Sequence, residues 1–423
     1  MPGDEYDVIV IGGGSAGLMA CVGAVQQGAR VLLLEKGDRL GRKLVISGGG
    51  RCNVTNNKDP GELVANIPGN GRFLFNALHR FGSREIIAFF ESLGVALKEE
   101  DNGRMFPVTD KATTVANTLI AYLQAQGVVV ALNSPVARVL YEGGRVAGVE
   151  LPGGRRLAAP AVVLAAGGKS VPRTGSTGDG YAWAREADHA ITRLFPTEVP
   201  LTSDEPWIAD RSLQGLSLRD VALTLHDARG KRLTRQTGDM IFTHFGFSGP
   251  AALRLAHYVD IALRHGGPAT LYIDLMPARD AETTFRQLWA SVEQHQRKAV
   301  GNLLKRLLPE RLLLLLLAQA GIPPEEPAAR VKKARLHELT ARIHRFPAQV
   351  TGTLSIEEAF VTGGGVDVRE IDPRTMASKR MPGLYFAGEV MDVHAHTGGY
   401  NITIAFSSGY VAGAAAAGAA GAR

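Results

Sequence analysis

Short, uninterrupted apolar runs alternate with helical spacing at both ends of the chain. Val8–Ile11 is one such run and Val31–Leu34 another; between them Gly17–Gln27 has apolar residues at helical intervals and stops at Gly28. A strand buried on both faces needs a continuous apolar run, and a helix packed on it needs a 3.6-residue period. The same reading predicts a helix over 84–94 ending at Gly94, a hairpin over Val136–Glu150 turning at Gly143-Gly144, and a strand over Ala161–Ala166 entering Gly167-Gly168. From about 190 to 275 the pattern changes to short alternations such as Val221–His226, the mark of half-buried strands. From about 279 to 345 it becomes helical, broken at Pro323-Pro324; strands return after Pro347, and Gly383–Gly388 again runs from a strand into glycine. A last helix over about 400–415 passes into an Ala/Gly tail expected to fray.

Two ends sharing one style around a different middle predict a discontinuous α/β domain carrying insertions, with no internal repeat. With 423 residues the chain exceeds what one core usually serves, so two or three domains are expected. The longest apolar stretch, Leu312–Ala318, is far short of the ~20 residues of a membrane span, and no basic region precedes the first strand as in a signal peptide. Two cysteines, Cys21 and Cys52, build neither a disulfide framework nor a Cys-rich metal site. The expectation is a soluble, cytoplasmic protein without a metal.

Fifty glycines, well above the usual share, cluster where the chemistry is expected. Gly12-Gly-Gly14-Ser15-Ala16-Gly17 is a G-x-G-x-x-G that follows a strand and opens a helix, and Glu35 ends the next strand 18 positions after Gly17. That context reads as a dinucleotide fingerprint. Gly12 permits the tight turn, Gly14 admits a pyrophosphate, and Gly17 lets helix and strand pack closely. The helix N-terminus supplies N–H groups and positive dipole, and Glu35 with neighbouring Lys36 suits a ribose with a free 2′-hydroxyl. Gly388-Glu389 after a second strand, and Ala166-Gly167-Gly168 after a third, resemble the remaining parts of FAD sites in two-dinucleotide-type flavoproteins. No second G-x-G-x-x-G follows a strand, so a nicotinamide, NADH or NADPH, is expected only as a transient donor.

Longer motifs carry a family resemblance. Gly41–Asn53, Thr174–Tyr181, Thr243–Pro250 and Gly388–Asn401 together make the chain similar to the YhiN/BaiN-like flavoproteins over nearly its whole length. The resemblance implies a Rossmann-like FAD-binding domain of the fumarate-reductase type, an inserted β-barrel-like domain, and a helical subdomain. On this sequence the divisions are 1–192, 193–277, 278–346, a return strand at 347–362, and 363–423. Ser47, Gly48 and Gly49 would bring backbone N–H groups to phosphate or flavin; Arg42, Lys43 and Arg51 would add positive charge. Asn53, Asp179, Thr397, Gly398, Gly399, Tyr400, Asn401 and Ile402 complete the expected cofactor set. The helix beginning near Tyr400 would aim its N-terminus at the flavin edge where negative charge develops.

The resemblance also implies the reaction: reduction of an activated C=C bond, in a uridine of 23S ribosomal RNA or in a small enone of the bile-acid or steroid kind. Reducing uracil takes a hydride at C6 and a proton at C5. Cys52, His244 and His396 are the candidate acids, with the purely structural reading open for each; His394 is a further histidine of the same motif, and Asp392 suits a cap or a ribose contact. Charge adds one clue. Within 297–345 eleven basic residues face four acids, an excess greater than the whole chain's +6. Such a patch fits a polyanion such as ribosomal RNA, or else a solvated helix face. Only Phe346 is nearby in sequence, so base stacking is not indicated there. A non-catalytic, FAD-containing RNA-binding or assembly factor is the remaining alternative.

Overall fold

The computed structural model describes residues 5–421 and divides into two units, Met1–Thr197 with Ile356–Arg423, and Glu198–Ser355. In the first unit a five-stranded parallel sheet runs in the order Leu384–Phe386, Ala161–Leu164, Val8–Ile11, Val31–Leu34, Val129–Ala131. Val8 pairs with Val31 on one side and Ala161 on the other, and all four residues of Val8–Ile11 are buried. Strands on one side of Val8–Ile11 come before those on the other in the chain. The crevice beyond its carboxyl end is therefore the switch point where doubly wound sheets bind ligands. Gly12, Glu35, Ala165 and Ala387 each follow directly on one of these strands. Distant motifs are thus gathered at one edge.

The tail does not fray as expected. Helix Tyr400–Gly421 continues through the Ala/Gly segment, and Ser15–Val25 packs against it. A Cβ at Gly413 would lie 1.8 Å from the Ala20 carbonyl oxygen, one at Gly409 2.2 Å from that of Ala16, and one at Gly23 2.2 Å from that of Tyr410. The small residues set the close approach of two helices, so burial replaces fraying. This helix is also the one segment among the described residues long and apolar enough to cross a membrane, although no apolar run in the sequence suggested it. Its apolar window is 67% buried within the fold, as expected of a core helix. Its glycines and alanines hide that length from a search for unbroken apolar runs.

The second unit holds a seven-stranded antiparallel sheet in the order Phe346–Val350, Ala269–Asp274, Ser217–His226, Arg232–Phe242, Gly246–Ser248, Leu201–Thr202, Gly352–Thr353. The two edge strands are successive pieces of one segment, so the sheet curls towards closure. Alternate residues of Phe346–Val350 are buried, and Trp207 packs among Phe242, Phe247 and Phe346. Helices Pro206–Ala209, Pro250–Leu253 and Ala256–Arg264 lie within this unit, as do Ala281–Gln294, Val300–Leu304, Glu310–Gln319 and Lys333–His344.

Candidate functional site

The dinucleotide turn combines three differently constrained glycines. A Cβ at Gly12 would meet the Ala165 carbonyl oxygen at 2.5 Å, and one at Gly17 the Gly12 carbonyl oxygen at 1.8 Å. At Gly14 the same atom would meet nothing within 4 Å. Gly14 is the N-cap of Ser15–Val25 without a side-chain cap, and no acid lies in the first turn. The N–H groups at Ser15 and Ala16 therefore face an open space that suits an anion. Glu35 Oε2 accepts from Gly13 N at 2.8 Å and Oε1 from Gly37 N at 2.7 Å. This fixes the carboxylate at the strand end, and each oxygen keeps a lone pair for a hydroxyl.

The cations expected at the pyrophosphate have protein partners. Arg42 pairs with Asp38 and lies against Gly37. Lys36 bonds Thr177 and Asp179, the latter in the first turn of Asp179–Glu186. Arg51 joins Glu100 and Asp110 and lies 4.2 Å above the Phe106 ring. Lys43 Nζ reaches Glu389 Oε2 at 2.7 Å and Ser170 Oγ at 2.8 Å. Glu389 Oε1 accepts from Ser170 Oγ and from Thr362 N, both at 2.7 Å. Burial alone would raise the Glu389 carboxyl, but Lys43, Ser170 and Thr362 outweigh it and hold it below the usual carboxylate range. Ser170 and Thr362 lie in no recognised motif. The only sequence signal for Ser170 is its place just after Gly167-Gly168, and Thr362 has none.

The second half of the site joins segments 47–56 and 398–403. Gly48, Gly49 and Gly50 all take left-handed backbone, and Gly49 and Gly50 have open space where a Cβ would stand. Ser47 Oγ donates to the Leu44 carbonyl, so that hydroxyl is already engaged. Asn56 Nδ2 donates to the Gly398 carbonyl at 2.9 Å, and Thr55 and Thr403 hydroxyls meet at 2.7 Å. Gly399 lies so close that a Cβ would be 2.6 Å from the Thr55 carbonyl oxygen and 2.9 Å from Asn53 Oδ1. Asn53 Oδ1 is buried with no hydrogen-bond partner among the described residues, as is the Tyr181 hydroxyl. Buried polar atoms without partners are uncommon, so such an atom at the edge of an open cradle fits a missing ligand group. Gly388 N donates to Ser408 Oγ, which docks the Glu389 turn on the last helix. Gly168 is pressed against Thr362 and Gly167 against Ser176, while Ala166 is half-buried.

The candidate acids occupy different settings. Cys52 is fully buried at left-handed φ, and burial, opposed by Ser47, pushes its thiol up to about 12. At neutral pH it is therefore a thiol and not a thiolate. His394 and His396 are buried. The backbone N–H of His396 donates to the Asn66 carbonyl at 3.1 Å, and His394 sits edge-on to Phe195. Asn401 holds this turn by accepting from Ala395 N and donating to the Ala395 and His396 carbonyls. Thr397 and Ile402 are half-buried beside it, and the Tyr400 hydroxyl accepts from Lys58 Nζ at 2.9 Å. Asp392 starts no helix; burial raises its carboxyl despite bonds from Thr192 and Asn70. His244 lies in the second unit, exposed and edge-on to Phe245.

An uncapped helix N-terminus with room before it, a fixed carboxylate at the next strand end and an unsatisfied asparagine oxygen fit the phosphate, ribose and ring of a flavin dinucleotide. Fold and cradle together define a flavoprotein-type oxidoreductase with a Rossmann-like FAD-binding fold. The chain belongs to the HI0933-like family, whose Rossmann-domain model matches residues 6–415. It is 32% identical over 405 residues to a ribosomal RNA dihydrouridine synthase of Haemophilus influenzae, covering 95% of this chain and 96% of that one. It is 30% identical over 419 residues to a 3-dehydro-bile acid delta(4,6)-reductase of Clostridium scindens, covering 96% of this chain and 98% of that one. In fold it resembles the 3-ketosteroid delta1-dehydrogenase of Sterolibacterium denitrificans, with a TM-score of 0.54 and 16% identity over the full length of both.

Proposed function

We propose that the protein reduces a uridine of large-subunit ribosomal RNA to dihydrouridine, with FAD as cofactor and NADH or NADPH as electron donor, in the cytoplasm where that RNA is made. The observation that carries this over a small apolar substrate is a set of exposed basic residues in the 297–345 segment, among them Arg297, Lys298, Arg330 and Lys332, that have no partner among the described residues. A steroid-like enone has no use for them.

FAD bound at the cradle would supply hydride transfer; the chain's own residues would bind, orient and protonate. The first turn of Ser15–Val25 and the backbone of Gly48, Gly49 and Gly50 would hold phosphate and ring edge. Glu35 would hold ribose hydroxyls, and Glu389, with its charge balanced by Lys43, would meet the polar chain between ring and phosphates. Asn53 would offer Oδ1 to an N–H of the ring. Uracil C5 needs a proton donor, and Cys52, His396 and His244 are the candidates. Cys52 carries its proton at neutral pH, but burial makes it a weaker acid than an imidazolium.

The bile-acid reductase relative supports the second reading, a small enone as substrate. The test is anaerobic. The protein is reduced with NADH and then mixed with a ribosomal RNA stem-loop or with a 3-keto-4-ene steroid, while flavin absorbance and dihydrouridine are followed. Reoxidation by RNA with dihydrouridine formed supports the proposal. Reoxidation by the steroid alone moves the substrate to the small enone. RNA binding without reoxidation by either leaves an assembly factor.

A further inference from the structure

The helical part of the second unit gathers four of its unused cations at one edge. The segments 296–301 and 324–329 run side by side: Val300 N donates to the Glu326 carbonyl, Ala328 N to that of Lys298, and Ala329 N to that of Gln296. This pairing brings Arg297 and Lys298 beside the turn that carries Arg330 and Lys332. All four are exposed, and none has an ion pair or side-chain hydrogen bond among the described residues. Other basic residues of the region are committed: Arg335 to Glu326, Arg342 to Glu338 and Gln319, Arg311 to the Ser212 and Gln214 carbonyls. Rings flank the edge although sequence proximity showed only Phe346. Lys333 Nζ lies 4.8 Å from the half-exposed Trp289 ring, and Phe285 stacks on His337 at 3.6 Å. Two acids stand near: Glu293, bonded to Trp289 Nε1, and exposed Glu325.

We infer that Arg297, Lys298, Arg330 and Lys332 form the phosphate-binding edge through which the protein docks its RNA. The inference rests on the reading that the substrate is an RNA and says which surface holds it. Four solvated cations without acidic partners carry a standing self-repulsion that a polyanion relieves, and counterion release drives the association. The half-exposed Trp289 ring, with the Lys333 ammonium beside it, adds an aromatic surface on which a base can rest.

The test compares two quadruple variants of the full chain, R297A/K298A/R330A/K332A and the charge-matched control R84A/K111A/R145A/R229A, whose four residues are also exposed. A fluorescent ribosomal RNA stem-loop is titrated over a range of salt concentrations. The edge variant should bind about 30-fold more weakly near physiological salt, with the slope of log affinity against log salt reduced by about 3. NADH oxidation with a small acceptor should be unchanged, showing that the fold and cofactor are intact. Equal affinity and slope in the two variants would overturn the inference. Phosphatidylserine vesicles are titrated in parallel, and an edge variant that loses vesicle binding while keeping its RNA affinity would also overturn it and make the edge a membrane contact. Tight RNA binding by the unsubstituted protein without dihydrouridine would refute the proposed reaction and leave the docking edge standing.

Discussion

Two glycine-rich regions serve opposite ends in this molecule. Where Ser15–Val25 meets Tyr400–Gly421, glycine is present because there is no room: a Cβ at Gly413 or Gly409 would run into backbone of the first helix. At Gly14, Gly49 and Gly50 there is room and no protein atom to fill it. Crowded glycines hold the fold; open ones, which elsewhere simply line surface turns, here sit together at the switch point of the sheet, where a ligand binds. Composition cannot tell them apart, because both regions read as runs of Gly, Ala and Ser.

The comparison breaks first at the crowded end. Gly413→Val should cost at least about 3 kcal/mol, since the colliding atom is rigid backbone, and the urea midpoint should fall sharply. A variant as stable as the parent would mean that the helices separate freely.

Lys43→Met comes next, with a loss of about 2 kcal/mol at neutral pH, because it leaves Glu389 charged and largely enclosed. The sign against pH follows from the depressed Glu389 carboxyl. In the parent its stabilisation is present above the ordinary carboxylate pKa and is lost as pH falls through the lower folded value. In the variant protonation relieves the unpaired charge, so the deficit should shrink on acidification. Urea midpoints measured between about pH 3 and 7 would show this; a deficit that widens in acid would contradict the pairing.

Asn401→Ala should cost about 1 kcal/mol by removing the amide that ties Ala395 and His396. Protection of those amides in hydrogen exchange should fall with it. Arg51→Gln should have the smallest effect, because its partners Glu100 and Asp110 are solvated, and concentrated salt should abolish the difference from the parent.

The sheet and the dinucleotide turn were legible because their signals are local. A four-residue apolar run, G-x-G-x-x-G and Glu35 lie within a few turns of one another, and each glycine's role follows from the turn itself. The partners of the cations were not legible. Lys43 finds Glu389 across 346 positions, and Arg51 finds Glu100 and Asp110 through a sheet formed by Thr55–Asn56, Arg104–Pro107 and Leu97–Glu100. A basic residue beside a glycine loop reads as a phosphate ligand until the fold supplies a carboxylate. The last helix is legible in the sequence over about 400–415, but its continuation to Gly421 is hidden for a related reason. Ala and Gly look uncommitted along a chain and become the tightest contact only when a second helix is laid against them. Trp289 and Phe285 are not legible as neighbours of the basic segment, because helix pairing and not sequence proximity brings them to Lys333 and His337.

The most direct test of the account is the flavin content of Gly14→Val, whose backbone at φ −81° suits a branched side chain. It is compared with the parent as apoprotein, because bound flavin adds its own stabilisation. The account predicts unfolding free energies in urea within about 1 kcal/mol of each other, about one FAD per chain in the parent, and little or none in the variant. A Gly14→Val protein that retains a full complement of FAD with unchanged affinity would contradict the claim that the open glycine faces the cofactor.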